Sequence, residues 1–236
     1  MATVLLLRHG RTSTNVSGTL AGHQPVGLDD TGRAQAEAVG VRLAAAKLPL
    51  AAVVSSPLPR CRETLSLALP DAEVVEDERL IECRYGDWSG QSLKKLAKDP
   101  LWRVVQAHPS AARFPGEDAE SMSEMAARGV AAIRDWDAKV TAEHGGEAVW
   151  LACSHGDVIK AIIADALGLH LDLFQRIAVD PASVTAIRYT PLRSFVLRSN
   201  DSGGDLAGFA PPKRRRRAGR KASSDAAVGG GAGVEP

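Results

Sequence analysis

The chain has 236 residues, 44% of them hydrophobic and 24% charged, an ordinary composition for one globular domain with an extension. Its net charge of +1 is unevenly spread: residues 201–236 carry seven Lys or Arg against four Asp or Glu, so residues 1–200 are slightly acidic. That excludes a body that holds nucleic acid by bulk charge, and three cysteines without a CxxC spacing exclude a disulfide framework or a zinc-cysteine site.

The cysteine usage fits a reducing cytoplasm. The one apolar run near the start, Val4 to Leu7, is ended by Arg8 and is too short for an export signal. No stretch approaches the roughly 18 apolar residues of a membrane span. A cytoplasmic protein without a membrane partner is expected.

Thr3 to Leu7 reads as a short buried strand that runs straight into Arg8-His9-Gly10-Arg11-Thr12. Loop residues follow to about Asp30. Thr31 then predicts a helix cap, with a helix to Lys47 whose apolar face is Ala34, Ala38, Val41 and Ala45. Leu50 to Val54 reads as a second strand. Ser56-Pro57 starts a helix that carries Arg60, Cys61 and Thr64. Glu73 to Val75 is a third, weaker strand, and residues 79–91 form a loop with Glu82, Gly86, Trp88 and Gly90.

Residues 92–118, with Pro100, Pro109 and Pro115, read as irregular and long enough to form a lid. A long helix follows over Ala119 to Glu143, with a stripe of Met122, Met125, Ala126, Gly129, Ile133, Trp136 and Val140. Glu147 to Cys153 is another buried strand. It leads into Ser154-His155-Gly156 and a helix to Leu167. Ser183 to Tyr189 and Phe195 to Leu197 read as closing strands. Alternating strands and helices indicate an α/β domain over residues 1–200, a three-layer sandwich around a mostly parallel sheet. Residues 201–236, with the run Lys213-Arg214-Arg215-Arg216-Arg217 and a Gly/Ala-rich end, read as a disordered basic tail.

In an open parallel sheet the ligand crevice lies beyond the carboxyl ends of the strands. Arg8-His9 and His155 both follow apolar strands, which predicts two histidines at one sheet edge. The chemistry suits phosphate monoesters. An imidazole is a neutral nucleophile near pH 7 and can carry a phosphoryl group covalently. Arg8 offers a planar fork for phosphate oxygens, and Gly10 permits close backbone approach. A structural, hydrogen-bonded role is the alternative for a histidine after a strand. His23, His108, His144 and His170 show no HxxxH or HExxH spacing, so no metal and no cofactor are called for. Trp88 and Trp102 suit either a pocket wall or the packing of the loop that holds Glu82.

Several segments, in order, carry a resemblance. They are VLLLRHGRTSTN, LDDTGRAQAEAVGVRL, VVSSPLPRCRET, LIECRYGDWSG, FPGEDAES and VWLACSHGDVIKAII, spanning residues 3–166. Together they resemble the histidine phosphatase superfamily, also called phosphoglycerate mutase-like. The resemblance implies His9 as the phosphorylated nucleophile. Arg8, Arg60 and His155 would line the phosphate pocket, with Asn15 helping to bind phosphate and Gly22 and His23 bordering the substrate. Glu82 would be the general acid, with its protonation linked to substrate binding.

Three departures bear on the branch. Cofactor-dependent mutases carry an acidic residue two positions after the nucleophile, where this chain has Arg11. They have Thr before the loop glycine, where this chain has Ala21 before Gly22. They also carry an Arg-Arg pair for the substrate carboxylate, where residues 92–118 offer only scattered cations. The expectation is therefore a metal-independent phosphatase acting on a small phosphorylated metabolite through a phosphohistidine. The alternative within the family is a phosphoglycerate-type mutase. The alternative from another class is a polyanion-binding protein that uses Lys213–Lys221 and keeps the body as scaffold. Deleting residues 202–236 separates the enzyme from the polyanion-binding protein: full phosphatase activity of the truncated chain makes the tail accessory.

Overall fold

The computed structural model describes residues 2–203. The expected tail lies outside the described residues from position 204 onward. Two strands decide the architecture. In β1 (Thr3–Arg8) Val4 and Leu6 join one apolar core while Leu5 and Leu7 join another. In β4 (Val149–Ser154) Trp150 and Ala152 face the first core, and Val149, Leu151 and Cys153 the second. The period of two and burial on both faces require a layer of helices on each side of the sheet. Each fully buried Leu contributes about 1.5–3 kcal/mol.

The first core is closed by α6 (Met122–His144) and α7 (Gly156–Ala166). The second is closed by α2 (Asp30–Ala46) and α3 (Pro59–Ala68). The sheet has six strands in the order β3-β2-β4-β1-β5-β6, with β2 Leu50–Ser55, β3 Val74–Glu76, β5 Val184–Tyr189 and β6 Ser194–Asp201. The first four run parallel, and the last two are antiparallel closing strands. This is the expected three-layer α/β sandwich.

Several local expectations are corrected. On α2 the buried residues are Gly32, Ala36, Val39, Leu43 and Ala46, whereas Val41 is 69% exposed. The face of Ala34, Ala38, Val41 and Ala45 is the outer one. The cap is Asp29, whose carboxylate accepts from the Gly32 N–H, rather than Thr31. On α3 the first helical position is taken by Pro59 after Leu58, two residues later than Ser56-Pro57 suggests. Ser13–Ser17 forms a short helix, α1, closed by a capping box between Thr12 and Asn15. Residues 92–118 hold α4 (Leu93–Leu96) and α5 (Pro100–Ala107), so the segment is more regular than its prolines imply. Pro100 sits in the first turn of α5, where a missing N–H costs nothing, and Asp99 caps it. Among the described residues no helix is long and apolar enough to cross a membrane.

Candidate active site

The register of β1 against β4 pairs Arg8 with Ser154, so the next residues, His9 and His155, emerge side by side. Their ring centroids are 5.2 Å apart. The His9 N–H donates to the Ser154 carbonyl at 3.1 Å, which ties the two strand ends together. The loop after β1 lies against the start of α2. A Cβ on Gly10 would stand 2.5 Å from the Gly32 carbonyl oxygen, so only glycine allows this approach. The Gly10 N–H in turn donates to Thr64 of α3 at 3.0 Å.

His9 is buried, 3% exposed. Its Nδ1 lies 2.7 Å from the Gly10 carbonyl, and a carbonyl only accepts, so Nδ1 carries the proton. That leaves Nε2 with a free lone pair. Burial first, then the positive charges of Arg60 and Arg8, hold the imidazole well below its usual pKa. The ring is therefore neutral at pH 7 and competent as a nucleophile.

Arg60 is also buried, at 2% exposure. Its guanidinium donates to the Gly22 carbonyl at 2.8 Å, the Gln24 carbonyl at 3.2 Å and His155 Nδ1 at 3.2 Å. Because His155 Nδ1 accepts, its Nε2 carries the proton and donates to Ser56 Oγ at 2.7 Å. Burial and the same arginines keep His155 neutral as well, well below the usual histidine value. Arg8 donates from Nη1 to the Val179 carbonyl at 2.6 Å, and its buried Nε has no hydrogen-bond partner among the described residues. An unpartnered donor at a cavity wall is an anchor for an anion.

Glu82 follows a single 3-10 turn, Glu78–Leu80. Its main chain is clamped by Arg128 of α6, a residue without a sequence signal. Arg128 donates to the carbonyls of Arg79 at 2.8 Å, Ile81 at 2.7 Å and Glu82 at 3.0 Å, and it pairs with Glu120 at 2.5 Å. Glu120 returns to the same loop by accepting from the Arg84 N–H at 2.8 Å. The Glu82 side chain keeps some exposure toward the cavity, but the protein crowded around it pushes its pKa up to about 7. Asp157 adds to that rise, and Arg60, the Cys83 N–H and Arg8 oppose it.

These groups line one cavity of about 640 Å³, together with Arg11, Asn15, Gly22, Tyr85, Leu93, Asp157 and Lys160. Asn15 and Gly22 stand at the wall as expected. His155 and His23 are placed behind it. His155 is fully buried against Arg60 and Ser56, and His23 Nε2 lies 2.6 Å from the Glu82 carbonyl, so His23 buttresses the loop. Trp88 is buried, stacks on Trp102 at 6.2 Å and meets Phe114 at 5.4 Å, so it packs the loop rather than lining the cavity. Tyr85, Asp157 and Lys160 are wall residues that the sequence reading did not single out.

Comparison with known proteins identifies the family of this fold. The family model for the histidine phosphatase superfamily (branch 1) matches residues 4–202. A 2,3-bisphosphoglycerate-dependent phosphoglycerate mutase 2 of Gloeobacter violaceus is 28% identical over 185 residues, covering 76% of this chain and 82% of the relative. A probable phosphatase of Schizosaccharomyces pombe is 30% identical over 162 residues, covering 67% and 70%. A phosphoserine phosphatase mutant from Entamoeba histolytica, solved with phosphoserine, superposes with a TM-score of 0.75 over 86% of this chain and 98% of its own. At 21% identity that likeness concerns the fold. The chain belongs to the histidine phosphatase superfamily.

Proposed function

We propose that this histidine phosphatase hydrolyses a small phosphorylated metabolite without a metal, by a ping-pong route through a phosphohistidine on His9. The observation that carries the reading is the coexistence of three protonation states in one cavity. His9 is neutral with Nε2 free, Glu82 is poised near neutrality, and two arginines face the space between them.

In the first half-reaction, His9 Nε2 attacks phosphorus and Arg8 and Arg60 stabilise the charge on the transferring group. The protonated Glu82 gives its proton to the leaving oxygen. In the second, the Glu82 carboxylate takes a proton from water, water attacks the phosphohistidine, and His9 returns to the neutral form. Asn15 completes the phosphate surroundings, and His155, behind the wall, holds the Arg60 guanidinium in place. The guanidinium pair supplies the positive charge that such chemistry requires.

The relatives include both mutases and phosphatases, so the branch is part of the proposal. Hydrolysis is favoured by Arg11, which is engaged with Asp29 at 2.8 Å where the mutase pattern has an acid. The test is hydrolysis of p-nitrophenyl phosphate with and without excess EDTA, in wild type and His9→Ala. Activity that survives EDTA and disappears in His9→Ala supports the route. Activity retained by His9→Ala sinks it.

A further inference from the structure

The cavity extends beyond the groups that handle phosphate. Besides those groups the lining includes Tyr85, Asp157 and Lys160, and apolar side chains, among them Leu20, Leu93 and Val179. Asp157 stands in the first turn of α7, directly after His155-Gly156, so the strand that delivers the histidine also delivers this carboxylate. Its Oδ2 accepts from the Tyr85 hydroxyl at 2.7 Å. Its Oδ1 lies 3.9 Å from Lys160 Nζ, and its side chain keeps 24% exposure.

The two other cations of the lining, Lys160 and Arg11, each have a protein partner. Lys160 also donates to Gln175 at 3.2 Å, and Arg11 is paired with Asp29 at 2.8 Å. Arg8 and Arg60 belong to the phosphate end. The groups that would meet an alcohol leaving group are thus a carboxylate with spare lone pairs, a phenol oxygen and an apolar wall. A lining that combines hydrogen-bond acceptors with apolar side chains matches a polyhydroxylated alcohol, which presents both O–H groups and C–H faces.

We infer that Asp157 selects the leaving group of the substrate: an uncharged, hydroxyl-bearing alcohol, as in a sugar or polyol phosphate, is accepted, and a carboxylate-bearing one is rejected. This names the substrate class of the proposed hydrolase and rests on that reading of the cavity. A hydroxyl donates to Asp157 and satisfies it. A carboxylate beside Asp157 meets a like charge, and the neighbouring Lys160 already faces Asp157 and Gln175, which is a repulsive element against the competitor. A hydrogen-bonding site discriminates further against analogues that leave its polar group unpaired.

The test uses two esters that differ in one group, glycerol 3-phosphate with CH₂OH and 3-phosphoglycerate with a carboxylate. Their dissociation constants are measured by calorimetry on the His9→Ala chain, which retains both the arginines and Asp157 and is read without turnover. Glycerol 3-phosphate is expected to bind about tenfold or more tightly than 3-phosphoglycerate. Adding Asp157→Asn, which keeps an acceptor for the Tyr85 hydroxyl, is expected to shrink that ratio by about tenfold.

Equal or tighter binding of 3-phosphoglycerate overturns the inference, as does a ratio unchanged by Asp157→Asn or the absence of binding by either ester at millimolar concentration. Should the double variant not fold, the ratio in the His9→Ala chain alone still decides. Failure of the hydrolase reading shows elsewhere, as aryl phosphate turnover by the wild-type chain that does not depend on His9.

Discussion

Replacing Glu82 by Gln separates proton transfer from every other function of the site. The amide is isosteric and can still accept the Cys83 N–H bond now made at 3.0 Å. The clamp from Arg128 is to main-chain carbonyls and is untouched. What disappears is a transferable proton. General acid catalysis of this kind contributes about 10²–10⁴ in rate, equivalent to about 3–5 kcal/mol of barrier. The structure adds a pH signature. With a pKa raised to about 7 the carboxyl is mostly protonated at pH 6 and mostly ionised at pH 8. Wild-type kcat/KM should therefore fall above pH 7. His9, held well below the usual value, should place the acid limb well under pH 6.5.

The assay compares kcat/KM for an alkyl phosphate and for p-nitrophenyl phosphate, from pH 5 to 9. Nitrophenolate leaves without help, so Glu82→Gln should lose about 10²–10⁴ on the alkyl ester and much less on the aryl ester. The fall above pH 7 should vanish with it. With the aryl ester the variant should also release one equivalent of nitrophenol in a burst, because the phosphohistidine forms but water is no longer activated. A variant that keeps alkyl phosphate turnover within about threefold, or keeps the alkaline limb, would refute the assignment of that proton to Glu82.

Three further outcomes follow from the same geometry. Arg128→Met strands Glu120 and three carbonyls, so it should destabilise the fold by about 3–5 kcal/mol in urea titrations and slow alkyl phosphates more than aryl ones. An aryl-to-alkyl ratio equal to wild type would deny it a part in positioning Glu82. Gly10→Ala forces the histidine loop away from the Gly32 carbonyl and should cost about 1–3 kcal/mol; a thermal midpoint equal to wild type would remove the argument for that close approach. The third outcome concerns stability and pH. His9 and His155 have folded pKa values below their unfolded ones, so their contribution is full above pH 6.5 and is lost as pH falls. Glu82 has a raised value and acts in the opposite sense, its contribution being lost as pH rises from 4.5 to 7. Removing it in Glu82→Gln should make the drop in urea midpoint between pH 7 and pH 5.5 steeper than in wild type; an equal or shallower drop would count against these shifts.

The parts of the site that lie on regular elements were legible in the sequence. A buried strand ending in Arg8-His9 and another ending in Ser154-His155 leave no choice but a common sheet edge, and the register realises it. The α6 stripe was legible because Met and Ile alternate with charged residues at helical spacing; Ala132 and Asp137 are additional buried positions. The buried face of α2 was not, because alanines occupy every face of that helix and the pattern carries little amphipathic signal. α5 was hidden by its flanking prolines, which act as its boundaries rather than as breakers. Arg128 and Asp157 were missed for a different reason. Each acts through long-range contacts, to a loop 46–49 positions earlier and to Tyr85 72 positions earlier, which no local spacing encodes.

The electrostatics of the cavity also fit the proposed use of one carboxyl as acid and then as base. In the free enzyme Arg8 and Arg60 pull Glu82 toward ionisation while burial and Asp157 push the other way, and the result lies near pH 7. A phosphate dianion between the arginines cancels their pull and adds negative charge of its own, so the bound substrate raises Glu82 further and keeps the proton that its departure requires. In the proposed route, once the phosphoryl group is on His9 and the alcohol has left, the proton has gone with it, and Glu82 is the carboxylate that water needs. Asp157 is part of the same balance, because its charge adds to the rise that burial causes in the Glu82 pKa. Asp157→Asn should therefore move the alkaline limb of kcat/KM to lower pH while leaving the tenfold-scale selectivity question to be read from binding alone. A limb that stays in place would show that burial, and not the neighbouring charge, sets the working pKa of the acid.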